Sequence, residues 1–171
     1  LVFAAGRSAA AVHPNAKKTI PINLCDYDLY QETVRDLKRP LSERYCVFLD
    51  NAQAHNPDIA VEGMPYLDAN RYFASLNRFF KLTEARFAAP VVIAAHPKSN
   101  YPSDLFEERR ILKNMTPALV KDAELVLCHH STAIGYAVLA HRPLLFFYTG
   151  EMGTLYAQTR IRPMRGFAEY L

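Results

Sequence analysis

Four short apolar runs constrain this chain more than any other feature: Tyr45–Leu49 (YCVFL), residues 91–95 (VVIAA), Leu125–Cys128 (LVLC) and Leu144–Tyr148 (LLFFY). None alternates apolar with polar residues, so each reads as a strand covered on both faces, the pattern of a parallel sheet. Segments with helical spacing separate them, which predicts βαβ units and an α/β fold class. Every run stops on polar residues: Asp50, then His96-Pro97, then His129-His130-Ser131-Thr132, then Thr149-Gly150-Glu151. In a parallel sheet with right-handed crossovers those four ends share one edge, where α/β domains bind ligands.

The stretch from Glu124 to Thr149 is the centre of that reading. Leu125–Cys128 is a buried strand, Ser131 is expected to open a helix that closes before Pro143, and a second strand follows. Unpaired backbone N–H groups at such a helix start attract anions. The sequence has no GxGxxG and no GxxxxGK[ST], so dinucleotide fingerprints and Walker-type phosphate loops find no support. Internal repeats and low-complexity segments are also missing from the sequence.

Upstream, Leu1–Ala5 reads as a short strand already under way, followed by a turn at Gly6-Arg7-Ser8. Residues 9–22 mix small residues with His13-Pro14, Lys17-Lys18 and Pro21, which predicts an irregular connection. Asp26 or Asp28 is expected to cap a helix to about Leu37 that Arg39-Pro40 ends. Residues 1–40 thus read as a linker region and the end of a preceding domain, and 41–171 as the main domain; the chain is expected to be a piece of something longer. After Asp50 comes a long loop with His55 and Asp58, the kind that is often functional. Asp68 then reads as an N-cap, with Tyr72, Phe73, Leu76, Phe79, Phe80 and Leu82 as the core face of the next helix. Ser103 is expected to cap a short helix over 104–110, Ile111–Met115 to form a strand, and Thr116 to cap a helical turn with proline at its first position. The tail from Gly150 carries Arg160, Arg162 and Arg165 and is expected to begin with a helix.

At 171 residues the chain can bury a proper core. Its net charge of +3 is mild and its cations are scattered, so nucleic-acid binding is not expected. No apolar run approaches the roughly 20 residues of a membrane span. Cys25, Cys46 and Cys128 read as small thiols in a reducing compartment, since no spacing suggests a disulfide or metal site. The absence of HxxxH and HxH pairs points to no metal centre, and adjacent His129 and His130 side chains should diverge.

The rim residues each carry two readings. His96 either braces a neighbouring loop or donates to a phosphate or leaving-group oxygen, with Pro97 fixing the backbone after it. Ser131 and Thr132 cap their own helix, and can hold a phosphate with the N–H groups left over. His130 divides between structure and function. Asp50 either braces a loop or serves as a catalytic nucleophile or base.

At VVIAAHPKSNY and TPALVKDAELVLCHHSTAIGYAVLAHRPLLFFYT, with IPINLCDYDLY and YCVFLDNAQAHNPD upstream, the sequence resembles the C-terminal, nucleotide-binding half of GT-B-fold glycosyltransferases that build bacterial surface polysaccharides. The pattern covers about residues 20–150 and looks closest to the β-Kdo transferase type of capsule and lipopolysaccharide proteins. The resemblance implies a Rossmann-like domain with helices on both faces, one half of a GT-B architecture. It implies transfer of a sugar from a CMP-linked donor such as CMP-Kdo to a growing glycan or glycolipid, with no metal or other cofactor. His96 would contact the donor phosphate, with Pro97 and Lys98 beside it. Ser131 and Thr132 would bind that phosphate, with His130 and His55 near the substrate and Glu151 at the donor ribose. Asp50 would be the nucleophile if configuration is retained; with inversion the base would lie in the other half. An acceptor-binding domain would precede Leu1, and the fragment alone would bind nucleotide without turnover. The full protein would be cytoplasmic, associated peripherally with the inner face of the bacterial inner membrane. Two rivals remain: a UDP-sugar epimerase of the UDP-N-acetylglucosamine 2-epimerase type, and a non-catalytic interaction domain of a polysaccharide assembly complex.

Overall fold

A computed structural model of the chain describes residues 1–5, 15–23, 25–36, 38–55 and 67–153. The chain divides into two compact units, Leu1–Lys38 and a second beginning at Arg39. In the first unit, β1 (Val2–Ala5) pairs in parallel with β2 (Thr19–Ile22), and α1 (Cys25–Arg35) follows. The strand β2 falls where an irregular connection was expected. Pro21 is tolerated there because a two-stranded sheet has only edges, and proline lacks a donor that an outward-facing edge does not need. Nor does Asp26 or Asp28 cap α1: both lie inside its first turn, where their charge favours the positive end of the helix dipole.

The second unit holds β3 (Cys46–Leu49), α2 (Ala69–Phe87), β4 (Val91–Ala95), β5 (Ile111–Lys113), α3 (Thr116–Asp122), β6 (Leu125–Cys128), α4 (Ile134–Leu139) and β7 (Leu144–Phe146). All five strands are parallel, in the order β5-β4-β3-β6-β7. Numbered within the unit this is 3-2-1-4-5, the Rossmann order, and the sequence order reverses between β3 and β6. Both faces of the central strands are covered: β3, β4 and β6 are buried at every position, whereas β7, expected to be covered like them, is an edge strand with Leu145 exposed. Cys46 and Phe48 face a core shared with Tyr72, Phe73, Leu76 and Phe80 of α2. Tyr45, on the opposite face by strand alternation, donates its hydroxyl to the Leu119 carbonyl of α3 at 2.8 Å. The fold is therefore α/β with a Rossmann-like parallel sheet and helices on both sides.

Asp68 caps α2 as its sequence suggests, accepting from the Arg71 N–H at 3.1 Å. One residue assigned to that helix's core face is not there: Leu82 is 71% exposed, because it stands four residues after Arg78 on the outer face. The helix expected over 104–110 is absent as well. Residues 103–108 are turns, with Glu107 and Glu108 both in the left-handed region (φ 50° and 63°). Those two residues cost about 1–2 kcal/mol each. Burial of Phe106, worth about 2–3 kcal/mol, offsets them together with the bidentate Arg109–Glu84 pair at 2.7 and 2.8 Å. Thr116 lies inside α3 and Met115 is its N-cap, with Pro117 one position later than expected. Pro117 is still harmless, since the first four N–H groups have no intrahelical partner. The tail begins with one 3-10 turn, Gly150–Met152. The far part of the loop after Asp50, including Asp58, and the tail beyond residue 153, with its arginines, lie outside the described residues.

Candidate functional site

The strand register brings the polar strand ends to one rim. Leu49 is level with Ala94 of β4 and with Cys128 of β6. Extending it by two residues puts Asn51 between His96 and His130, at the point where strand order reverses. Side-chain hydrogen bonds follow the same line. Asn51 Nδ2 lies 3.1 Å from His130 Nδ1 and 3.3 Å from the His130 carbonyl. Asp50 accepts from the His96 N–H at 3.0 Å and from the Ala52 N–H at 2.9 Å. The ends of β6, β3 and β4 are thereby tied into one bridge across the switch point.

Asp50 is 9% exposed and both its oxygens are occupied, because the Tyr101 hydroxyl also reaches them at 3.0 and 3.2 Å. Burial raises its carboxyl above the ordinary range, while the N–H groups of His96 and Ala52 and the Tyr101 hydroxyl pull the other way. The same burial, with the Asp50 charge beside it, pushes the Tyr101 phenol well up. The Asp50 side chain therefore has the bracing arrangement: it fixes the backbone at the end of β4 and folds its own loop back. Ala52 follows in the left-handed region (φ 54°), held there by that loop closure and by the His55 N–H on its carbonyl.

His96 begins a tight turn. The Ser99 N–H and hydroxyl both donate to the His96 carbonyl, at 2.9 and 2.7 Å. The Lys98 N–H donates to His96 Nδ1 at 3.2 Å. A nitrogen that accepts a hydrogen bond carries no proton, so neutral His96 is the tautomer whose Nε2–H donates. Its side chain lines a cleft of about 370 Å³ together with His55, Lys98, Asn100 and Tyr101. His55 stacks on Phe73 with centroids 6.0 Å apart, which places an aromatic wall beside the cleft. Pro97 is exposed on the same turn.

The two adjacent histidines do diverge. His129 is fully buried, its Nδ1 2.7 Å from the Phe147 carbonyl and its Nε2 3.0 Å from the Tyr72 hydroxyl. A carbonyl only accepts, so Nδ1 carries the proton and Tyr72 donates to Nε2. Burial holds the imidazole neutral, with its pKa lowered to about 3. His129 is thus a structural link between α2, β6 and β7, and His130 is the member of the pair at the rim.

Ser131 and Thr132 depart from expectation in one respect. Ser131 Oγ accepts from the Ala133 N–H at 3.1 Å, so these residues form a turn, and α4 starts only at Ile134. The six-residue α4 has little dipole to offer an anion. Ser131 and Thr132 remain next to His130, half-buried and exposed respectively. Glu151 lies after β7 and accepts from the Ser75 hydroxyl at 3.0 Å, while its Oε2 is buried with no hydrogen-bond partner among the described residues. Burial alone would raise the Glu151 carboxyl; its own N–H, the nearby Thr149 hydroxyl, Ser75 and Arg71 hold it below the ordinary value instead.

The structure thus brings His96, Lys98 and His55 into one cleft, with Asp50 behind it and His130 across the switch point. The sequence reading missed Asn51 and Tyr101. Asn51 had one available signal, its place directly after a strand-end aspartate. Tyr101 had none, since its partner is 51 residues away. Among the described residues no group of three or more His, Cys, Asp or Glu side chains is placed to hold a metal ion, and no helix is long and apolar enough to cross a membrane. The chain matches no protein-family model and no curated protein sequence.

Proposed function

We propose that this chain is the donor-binding domain of a sugar transferase of the GT-B type, recognising a nucleotide-linked sugar, CMP-linked by its resemblance to β-Kdo transferases, for transfer to a bacterial surface glycan or glycolipid. The observation that carries the reading is His96. It stands at a strand end beside the switch point of a 3-2-1-4-5 sheet and lines the cleft, with Nδ1 occupied by a backbone N–H so that Nε2 is the donor nitrogen of the neutral ring. A donor fixed in that tautomer suits a phosphate oxygen, and Lys98 adds a cation on the same turn. His130, Ser131 and Thr132 stand at the end of the strand across the switch point, and Glu151, whose Oε2 has no hydrogen-bond partner among the described residues, offers an acceptor for a ribose hydroxyl.

Asp50 takes a positioning role in this proposal. With both oxygens accepting from protein donors it acts on the His96 backbone, and the reading that fits is direct displacement with the base outside the described residues. The transfer needs no metal in this scheme, because the histidine and lysine donors meet the phosphate charge. The full enzyme is expected to work at the cytoplasmic face of the membrane that carries its acceptor.

Calorimetric titration with CMP, UDP and GDP tests the proposal. CMP binding is expected, with His96→Ala weakening it about tenfold and Ser131→Ala by less. Exclusive binding of UDP would favour the epimerase instead. No binding of any of the three by the folded chain would favour the interaction domain.

A further inference from the structure

The outer face of α2 carries a charge pattern that neither the fold nor the cleft uses. Arg71, Arg78 and Leu82 follow one another at helical spacing, with Ala74 and Ala85 between and after them, and Lys81 and Arg86 flank the line. All are exposed. No Asp or Glu stands on this face; Glu84, the one acid of the helix, points the other way to the buried Arg109. An ordinary solvated helix alternates its charges and gains from i, i+4 pairs. Here Arg78 and Lys81 are like charges one turn apart. Among the described residues the relief is small: Lys81 meets Glu107 at the surface, Arg78 donates to the Ser75 hydroxyl, and Arg71 lies near Glu151. Leu82, 71% exposed, sits in the middle of these cations.

We infer that this face is a docking stripe for an anionic phospholipid surface. The cations match a negatively charged leaflet over their length, about 22 Å along the axis from Arg71 to Arg86. Leu82 separates a bilayer from other polyanions, since its side chain can enter the boundary between headgroups and acyl chains, whereas a nucleic-acid backbone gives it no apolar partner. The Arg71 end of α2 lies toward the rim, where Tyr72 meets His129 and Ser75 meets Glu151. Docking along this face would lay the helix flat on the membrane with the cleft opening beside it. The inference stands on the stripe alone and survives if the nucleotide reading fails.

Vesicle sedimentation of the full chain tests it, using phosphatidylcholine alone and phosphatidylcholine with about one third phosphatidylglycerol. The chain is expected to bind the anionic vesicles at least about tenfold more tightly, and to release them as salt rises. Arg78→Glu with Arg86→Glu should remove that preference, Arg78→Gln with Arg86→Gln should remove most of it, and Leu82→Ser should weaken binding about threefold. Both pairs lie on an exposed helix face, and circular dichroism checks that they fold. Equal affinity for both vesicles, no vesicle binding, or binding unchanged by the glutamine pair would overturn the inference. So would tighter binding to single-stranded RNA that Leu82→Ser leaves unaltered.

Discussion

The sheet has a polar cluster at each end, and the two are built differently. At the amino-terminal edge the guanidinium of Arg109, 8% exposed, meets Glu84 in a fork, with Asn77 Oδ1 and the Phe106 carbonyl completing its hydrogen bonds and the Phe80 ring beneath it. Burial alone would raise the Glu84 carboxyl, but the Arg109 hydrogen bonds, the Val91 N–H and the Arg109 charge hold it below the ordinary range. At the carboxyl-terminal edge Asp50 has no Lys or Arg partner among the described residues, and its donors there are backbone groups and one phenol. On the same edge, Asn51 Oδ1 and Glu151 Oε2 are buried without hydrogen-bond partners among the described residues. The first cluster is closed on itself and secures the turn over 103–110. The second keeps acceptors and a histidine donor in reserve, as a site that must receive a ligand does.

Breaking the closed cluster should have the largest effect on stability and none on binding. Arg109→Met leaves Glu84, whose side chain is 26% exposed, without its partner. A loss of about 2–4 kcal/mol is expected in urea unfolding, discounted for that exposure. Nucleotide affinity measured where the variant is still folded should stay within about twofold.

His129 sharpens the contrast through pH. Its pKa is lowered to about 3 in the folded chain, so the unfolded chain binds the extra proton first as pH falls. The stability this histidine contributes is full above about pH 6.5 and is lost progressively down to about pH 3. Urea unfolding should show a loss of about 1–2 kcal/mol between pH 6.5 and 5, which His129→Phe removes. Asp50 works in the opposite direction: its raised pKa adds stability as pH falls, so the His129 variant is needed to isolate the histidine.

Tyr101→Phe probes the open cluster with a smaller change. It withdraws one donor from a buried carboxylate and should cost about 1–2 kcal/mol. Because the His96 N–H remains on Asp50, nucleotide binding should weaken only slightly, by calorimetry. The smallest effect distinguishes two alanines in the left-handed region. Ala88, exposed after α2 with φ 48°, should gain about 0.5–1 kcal/mol in thermal unfolding on substitution by glycine. Ala52, 7% exposed under the bracing loop, should gain nothing, since the buried methyl lost there offsets the relieved strain.

What could be seen in the sequence follows from how locally each feature is written. VVIAA and LVLC announce strands buried on both faces because a parallel strand needs no distant residue to declare its pattern. Polar residues at each strand end predicted a common edge, and the sheet order places them on it. The fate of residues 103–110 was not local: Phe106 and Arg109 are drawn to α2 by contacts with Phe73, Asn77 and Glu84, which overrule helical spacing. His129 and His130 are indistinguishable by type. Only the pleat, which turns one into the core and the other to the rim, separates them. The role of Asn51 depends on a partner 79 residues away, which no spacing rule contains.

The central claim, that the carboxyl-terminal edge receives the nucleotide, is tested most directly by amide and imidazole NMR shifts of the chain during titration with CMP. The account predicts the largest changes at Asn51, His96, Lys98 and His130, with the Arg109 cluster silent. Changes centred on Glu84 and Arg109, or a spectrum that CMP leaves unaltered, would contradict it.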